Sequence, residues 1–330
     1  MTNPKHPNRR TALSATLLGA TTLWGTSALA NTWPNRSIKL VVPFPPGGGT
    51  DTVARLLAER LSQALGQPVV VDNRPGAGTS IGAAAVAGAA ADGYTLLFSG
   101  SSTFTVNPAV RRQLPYDPFR QLQTLGLVAR APLVIVTGAN SPYTDLNQLL
   151  AVAKDKPGVL NYATFGPGTG PHLVGEMLTY ARSARMTPVP YKGSADALIA
   201  ILRGDVQLGI DTLASAKGAI QDGKLRALAV VADKRTPLLP QVPSLTELGL
   251  GYALFDAWYA LAAPAGLDPV VAQRLQQVLS STSNDPDFKT KLAQQSMDAA
   301  WLPPQPLQAL MEREVTRYRA AVARSGIPLN

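Results

Sequence analysis

A glycine-rich stretch between an apolar run and an amphipathic segment constrains the fold of this chain most strongly. The run Ile38–Val42 predicts a strand, and apolar residues at helical spacing predict a helix over Asp51–Leu65. The Gly47–Gly49 triplet between them carries no Cβ, so its backbone would approach a ligand closely. Thr50 or Asp51 is expected to cap the helix.

This strand, turn and helix would form a binding site for a small anion. The N–H groups of the first helical turn have no intrahelical acceptor, and they carry the positive end of the helix dipole. A carboxylate would suit such a position. The alternative interpretation is a tight strand-to-helix connection that binds no ligand.

Three further loops of small residues follow the same logic. Ser99–Thr103 ends the predicted strand Tyr94–Phe98, Phe165–His172 ends Leu160–Thr164, and Lys192–Ser194 precedes a helix. The alternation of strands and helices predicts parallel sheets with helices on both faces. Ligands bind such sheets at the carboxyl ends of the strands, which is where these loops would lie.

The first thirty residues predict a signal peptide. A basic start containing Arg9-Arg10 precedes a mostly apolar stretch of small residues, and Ala28-Leu29-Ala30 is a small-x-small cleavage site. Cleavage after Ala30 would release an exported protein, periplasmic in a Gram-negative bacterium, by the Sec or the twin-arginine route. The alternative, an uncleaved membrane anchor, is disfavoured because the apolar stretch is short and contains Thr, Ser and Gly.

Two apolar stretches predict crossings between two lobes. Leu125–Thr137, broken by Pro132, leads out of the first lobe, and Phe255–Ala262 leads back into it. We therefore predict four segments: a signal peptide over 1–30, a first lobe over 31–130, a second lobe over 131–255, and a return to the first lobe over 256–330. The last helix has a mostly apolar stripe that includes Glu314 and is predicted to face the core.

Composition and motifs offer no recognisable catalytic residues, so they do not support an enzymatic function. The chain has no cysteine, so it has no thiolate nucleophile and no cysteine metal site, and His172 is the only histidine after the leader. No G-x-S-x-G elbow or Walker A pattern occurs, and the glycine-rich segment Gly76–Gly82 lacks the acid expected about 20 residues later in a dinucleotide site. The net charge of +9 comes from scattered basic residues, which does not indicate nucleic-acid binding. We predict no metal and no cofactor.

An ordered set of motifs is similar to one known family. The motifs are Val42–Asp51, Asp72–Gly78, Asp92–Leu97, Leu114–Asp117, Pro190–Gly193, Gly223–Val230, Pro240–Gly249 and Ala263–Gly266. With these in place the chain resembles the Bug family, the extracytoplasmic solute-binding subunits of tripartite tricarboxylate transporters.

The resemblance implies an α/β, two-lobe, periplasmic-binding-protein-like fold of type II (Venus flytrap) with a ligand cleft between the lobes. It implies a small carboxylate as ligand, two integral membrane transporter subunits or a sensor protein as partners, and action as a monomer. The ligand-binding positions that it implies are Phe44, Gly47, Gly48, Gly49, Thr50, Asp51, Ser101, Ser102, Thr164, Gly166, Gly168, Thr169, His172, Tyr191, Lys192, Gly193, Ser194 and Asp211.

The sequence leaves two possible roles open for each of four candidate residues. His172 contacts the ligand or is structural, Lys192 offers a countercharge or is solvated, and Asp211 receives a ligand group or caps the following helix. Trp258 packs in the crossing strand or walls the cleft. The Pro45-Pro46 pair departs from the family pattern and bears on ligand identity. An exported two-lobe enzyme and a sensor partner remain the alternative functions.

Overall fold

The computed structural model describes residues 33–325, and the part of the chain after Trp33 groups into one compact unit. The predicted signal peptide and its cleavage site at Ala30 lie outside the described residues. Within that described range, no helix is both long and apolar enough to cross a membrane.

Six strands form the first sheet, in the order β11-β4-β10-β3-β1-β2. Their bounds are β1 Ile38–Val42, β2 Val69–Asn73, β3 Thr95–Gly100, β4 Leu122–Arg130, β10 Trp258–Pro264 and β11 Asp298–Leu302. β1 runs parallel to β2 and β3, whereas β10 is antiparallel to both β3 and β4, and β11 is antiparallel to β4. The prediction of a parallel sheet is thus correct for three strands and wrong for the other three. β4 leaves this lobe and β10 returns to it, so as neighbours they run in opposite directions.

Five strands form the second sheet, in the order β7-β6-β8-β5-β9. Their bounds are β5 Leu133–Gly138, β6 Leu160–Thr164, β7 Met186–Pro190, β8 Leu208–Thr212 and β9 Leu225–Val230. β6 is parallel to β7 and β8, and β5 is antiparallel to β8 and β9. Each sheet is therefore the centre of one lobe, and the predicted two-lobe α/β fold is confirmed. The exact lobe boundaries stay a prediction.

Helices cover both sheets. Those of the first lobe are α1 Gly49–Leu65, α2 Ser80–Ala87, α3 Asn107–Val110, α8 Pro269–Asn284, α9 Pro286–Gln294 and α10 Pro304–Ser325. Those of the second lobe are α4 Leu146–Asp155, α5 Gly170–Ala181, α6 Ser194–Arg203 and α7 Leu213–Gln221. A π-helix over Ser102–Val106 runs directly into α3. The predicted loop Ser99–Thr103 is therefore partly strand and partly helix.

Two connections between the lobes lie side by side. The backbone N–H of Ala131, which follows β4, donates to the carbonyl of Ala257, which precedes β10, at 2.8 Å. Arg130 and Asp256 form an ion pair at the same place. These contacts tie the outgoing and returning crossings together, so the two connections between the lobes form one strip of backbone.

The last helix supports the second lobe as well as the first. Val315 and Tyr318 of α10 share a buried apolar cluster with Leu173 and Met177 of α5. On the same face of α10, Glu314 is buried, with its Oε2 accepting a hydrogen bond from Trp258 Nε1 at 3.1 Å. Burial raises the pKa of this carboxyl. Glu314 therefore fixes the orientation of the Trp258 indole.

Replacing Glu314 tests this role. In Glu314→Leu the buried Trp258 N–H loses its acceptor, so we expect the free energy of unfolding to fall by about 1–3 kcal/mol. Glu314→Gln keeps an acceptor oxygen and should lose less. Glu312→Leu, on the exposed face of the same helix, should stay within about 0.5 kcal/mol of the wild type. Urea titration measures all three, and equal stability of Glu314→Leu and Glu312→Leu would contradict the assignment.

Candidate ligand-binding cleft

A cavity of about 230 Å³ lies between the two lobes. The first lobe contributes the β1–α1 loop, the end of β3 with the start of the π-helix, and the start of β10. The second lobe contributes the loop after β6 and the N-terminal ends of α6 and α7. Eight of the predicted site residues line this cavity: Phe44, Gly48, Gly49, Thr50, Ser101, Ser102, Gly193 and Ser194.

The three consecutive glycines each serve a different purpose. Gly47 has φ +87°, a left-handed conformation that favours glycine. Gly48 is the N-cap of α1 and faces the cleft in an extended conformation. Gly49 lies against the other lobe, where a Cβ would come within 2.9 Å of Thr212 Oγ1. The triplet predicts that the backbone closely approaches a ligand. At Gly49 the backbone instead closely approaches Thr212 of the other lobe.

Asp51 holds the glycine loop from behind and does not cap the helix. The predicted cap by Thr50 or Asp51 is wrong, because α1 begins two residues earlier than expected and has no side-chain cap. Asp51 Oδ2 accepts from Gly47 N–H at 3.0 Å and from Arg55 Nε at 2.9 Å. Burial acts to raise the pKa of Asp51, but the hydrogen bonds from Arg55, Gly47 and Asn73 hold it below the usual value.

The N-terminus of α6 faces that of α1 across the cleft. Gly193 is its N-cap, again without a side-chain cap, and it packs so tightly on Pro45 that a Cβ would lie 2.5 Å from Pro45 Cγ. A Cβ on Gly48 would lie 3.6 Å from Ser194 Oγ. Two helix N-termini, one from each lobe, are thus close enough to contact one small ligand.

Side-chain capping differs among the described helices: α2, α3 and α5 also have no side-chain cap. α4, α8 and α9 are capped by the carboxylates of Asp145, Asp268 and Asp285, each of which accepts from a backbone N–H of the first turn. The N-caps of α1 and α6 are Gly48 and Gly193, which have no side chain to accept from the first turn, and both glycines line the cavity. A helix N-terminus of this kind suits an anion without any basic side chain.

The loop after β6 joins the lobes outside the cavity. Arg111 Nη2 of the first lobe donates to the Pro167 carbonyl at 2.8 Å, and Gly168 sits against Asn107, leaving no room for a side chain. Phe165 and Pro171 of this segment reach the cavity. The predicted site residues Thr164, Gly166, Gly168, Thr169 and His172 do not line it. Their contact with a ligand stays a prediction.

His172 lies in a separate surface depression next to Glu176. Its Nε2 is 4.0 Å from Glu176 Oε1, which accepts a hydrogen bond from the hydroxyl of Tyr162 at 2.6 Å. Burial and the nearby Arg111 lower the pKa of His172 to about 4. The ring is therefore neutral at neutral pH.

Asp211 lies beneath the cleft and is fully enclosed. Its Oδ1 accepts from Ser194 Oγ at 2.9 Å and from Thr212 N–H at 2.7 Å, and Oδ2 has no partner among the described residues. Burial raises the pKa of this carboxyl to about 7. The interpretation of Asp211 as a helix cap is wrong, because β8 continues through Thr212, whose side chain caps α7.

The remaining predicted residues lie at the edge of the site. Gly47 and Lys192 are exposed, Tyr191 is half-buried, and none of them lines the cavity. Sequence reasoning missed most of the aromatic wall, namely Phe165, Phe255 and Tyr259. The crossing run from 255 to 262 contained the signal for two of these, because a strand that connects two lobes passes beside the cleft. Two roles were predicted for Trp258, packing in the crossing strand and forming a wall of the cleft. It has both, because it packs on Phe104 and lines the cavity.

Comparison with known proteins assigns the family. A family model described as tripartite tricarboxylate transporter family receptor matches residues 53–327. The chain is 36% identical over 301 residues to the protein BugT of Bordetella pertussis, covering 91% of this chain and 92% of that protein. The chain belongs to this family of transporter receptors, and the resemblance to the Bug family is confirmed.

Solved structures agree with this assignment. Rpa4515 of R. palustris, solved with adipate, has a TM-score of 0.85 and 33% identity, covering 90% of this chain and 99% of that one. MatC from Rhodopseudomonas palustris, solved with bound malate, has a TM-score of 0.81 and 31% identity, covering 88% of this chain and 99% of that one. The chain therefore has the fold of periplasmic solute-binding proteins.

The raised pKa of Asp211 predicts a distinctive pH dependence of stability. The folded protein keeps this proton up to about pH 7, whereas the unfolded chain releases it near pH 4. Between these values the folded state binds more protons, so the contribution of Asp211 to stability falls as the pH rises. We expect the melting temperature of the wild type to fall between pH 4 and 7 relative to that of Asp211→Asn.

The matched control is Asp222→Asn, which removes an exposed carboxylate near the end of α7. Its melting curve should run parallel to that of the wild type across the same range. If the Asp211→Asn curve is parallel as well, Asp211 does not titrate as described.

Proposed function

We propose that this protein captures a small carboxylate between its two lobes and delivers it to a membrane transporter. The observation that carries the proposal is the pair of uncapped helix N-termini, α1 and α6, which face each other across the cleft. Two family members with the same fold were solved with adipate and with malate, both carboxylates. Those structures support a ligand of this chemistry here.

The contacts between the lobes suggest how binding would drive closure. A carboxylate held by the first turns of α1 and α6 interacts with both lobes only when the cleft is closed. Such a ligand shifts the population toward the closed form, and the closed form is what a membrane partner would recognise. Thr50, Ser101, Ser102 and Ser194 provide hydroxyl groups around the same position.

We further propose that Phe44, Gly48, Gly49 and Gly193 contact the ligand through backbone groups or apolar surface. Asp211 would act indirectly, because it accepts the hydrogen bond from Ser194 and so orients that hydroxyl. The other predicted site residues would shape the loops that carry these groups.

The cellular setting belongs to the same proposal. The chain would be exported by its N-terminal signal, cleaved after Ala30, and would act as a monomer in the periplasm with two membrane subunits. We propose no catalytic activity. The described residues that line the cavity include no histidine, and the Asp211 carboxyl that accepts from Ser194 Oγ is enclosed beneath the cavity, so we assign it to orienting that hydroxyl.

A thermal-shift screen tests the binding function. The purified protein, refolded to remove any ligand carried over, is screened against a panel of carboxylates. A ligand at 100 times its dissociation constant should raise the free energy of unfolding by about 2.7 kcal/mol. Absence of any shift across mono-, di- and tricarboxylates would contradict the proposal.

Gly193→Ala tests closure. The backbone at Gly193 is extended, so alanine fits it, but the new Cβ would meet Pro45 of the other lobe at 2.5 Å. We expect at least tenfold weaker binding in isothermal titration, with a nearly unchanged melting temperature of the free protein. Gly218→Ala in α7, where a Cβ meets nothing within 4 Å, is the matched control and should bind as the wild type does. Equal affinity of the two variants would rule out the closed contact as a requirement.

A further inference from the structure

The cleft contains one anion site and no place for a second. Among the described residues that line the cavity there is no lysine, arginine or histidine. The charged residue on this wall is Asp196, and Asp211 lies enclosed below it. A second carboxylate on a ligand would therefore meet no positive side chain among the described residues of this wall.

The other helix N-termini at the cleft are partly occupied by the protein itself. At α5 the Gly170 N–H donates to Ser102 Oγ at 3.0 Å, and Pro171 has no N–H to offer. At α7 the Leu213 N–H donates to the Pro132 carbonyl at 2.8 Å. The Ser215 N–H donates to its own cap. α1 and α6 are uncapped and face each other, so they can serve one carboxylate between them.

Most of the remaining cavity wall is apolar, although Thr212, Tyr259 and Asp196 also line it. Its walls include Leu133, Phe165, Phe255 and Trp258. Trp258 stacks on Phe104 at 5.8 Å between ring centroids, and Phe255 stacks on Tyr318 at 5.7 Å. Both rings are buried and held from behind. Such walls need no reordering when an apolar group enters.

The size of the cavity fits one ring beside one carboxylate. An apolar protein cavity of about 150 Å³ accepts a benzene molecule, and the cavity here measures about 230 Å³. A carboxylate placed against apolar walls loses its hydration without a compensating partner, so the far end of the ligand should be uncharged.

We propose that the ligand is a monocarboxylate with an apolar body about as large as a single aromatic ring, bound in preference to dicarboxylates. This inference rests on the proposed carboxylate-binding function and narrows it to one class of ligand. The carboxylate lies between α1 and α6, and the body lies against Phe165, Phe255 and Trp258.

Matched ligand pairs test the inference by isothermal titration of the refolded full-length protein. Hexanoate and adipate have the same six-carbon chain and differ in one carboxylate, and phenylacetate and 1,4-phenylenediacetate form the aromatic pair. We expect each monocarboxylate to bind at least tenfold more tightly than its partner. Equal or tighter binding of the two dicarboxylates would overturn the inference while leaving the proposed function intact. Absence of binding by all four, together with a flat carboxylate screen, would overturn both.

Two variants locate the apolar body. Phe165→Ala should weaken phenylacetate binding at least tenfold, whereas Phe119→Ala, which removes an exposed ring that does not line the cavity, should leave it unchanged. Unchanged phenylacetate affinity in Phe165→Ala would contradict the placement.

Discussion

The two lobes approach each other at positions where one of them has no side chain, and the cleft depends on that fit. Gly193 lies against Pro45, and Gly49 lies against Thr212. Because these contacts are so close, the first turns of α1 and α6 come within reach of the same small molecule. A side chain at either glycine would hold the helices apart, and an anion could then contact only one lobe at a time.

Helix capping decides which N-termini are available to a ligand. A side-chain cap contributes about 1 kcal/mol to a helix, and α4, α8 and α9 each have one from an aspartate. α1 and α6 forgo this stabilisation at the cleft, so their N–H groups stay free for an external acceptor. α7 is capped by Thr212, and the Gly170 N–H of α5 donates to Ser102. In the proposed function, backbone groups would recognise the charge of the ligand and the surrounding walls would recognise its shape.

The far end of the chain supports these walls. Tyr318 of α10 stacks behind Phe255, and Glu314 of the same helix holds the indole of Trp258. Both aromatic residues belong to the returning crossing, which also carries the backbone pairing at Ala257. The helix, the crossing and the cleft wall are therefore joined by direct contacts.

The sequence by itself determined the local elements of this protein. The Gly47–Gly49 triplet, the helical spacing and the apolar crossings are patterns among neighbouring residues, so they predicted the β1–α1 loop and the two lobes, and an ordered set of motifs resembled the family. Long-range packing decided the rest. The proline-rich loop after β6 contacts Arg111 outside the cavity, and Asp211 lies enclosed beneath Ser194. β11 pairs with β4 at the edge of the first sheet, and the sequence pattern did not predict this strand. Which loops reach the cleft depends on how two distant sheets meet, and no short stretch of sequence contains that information.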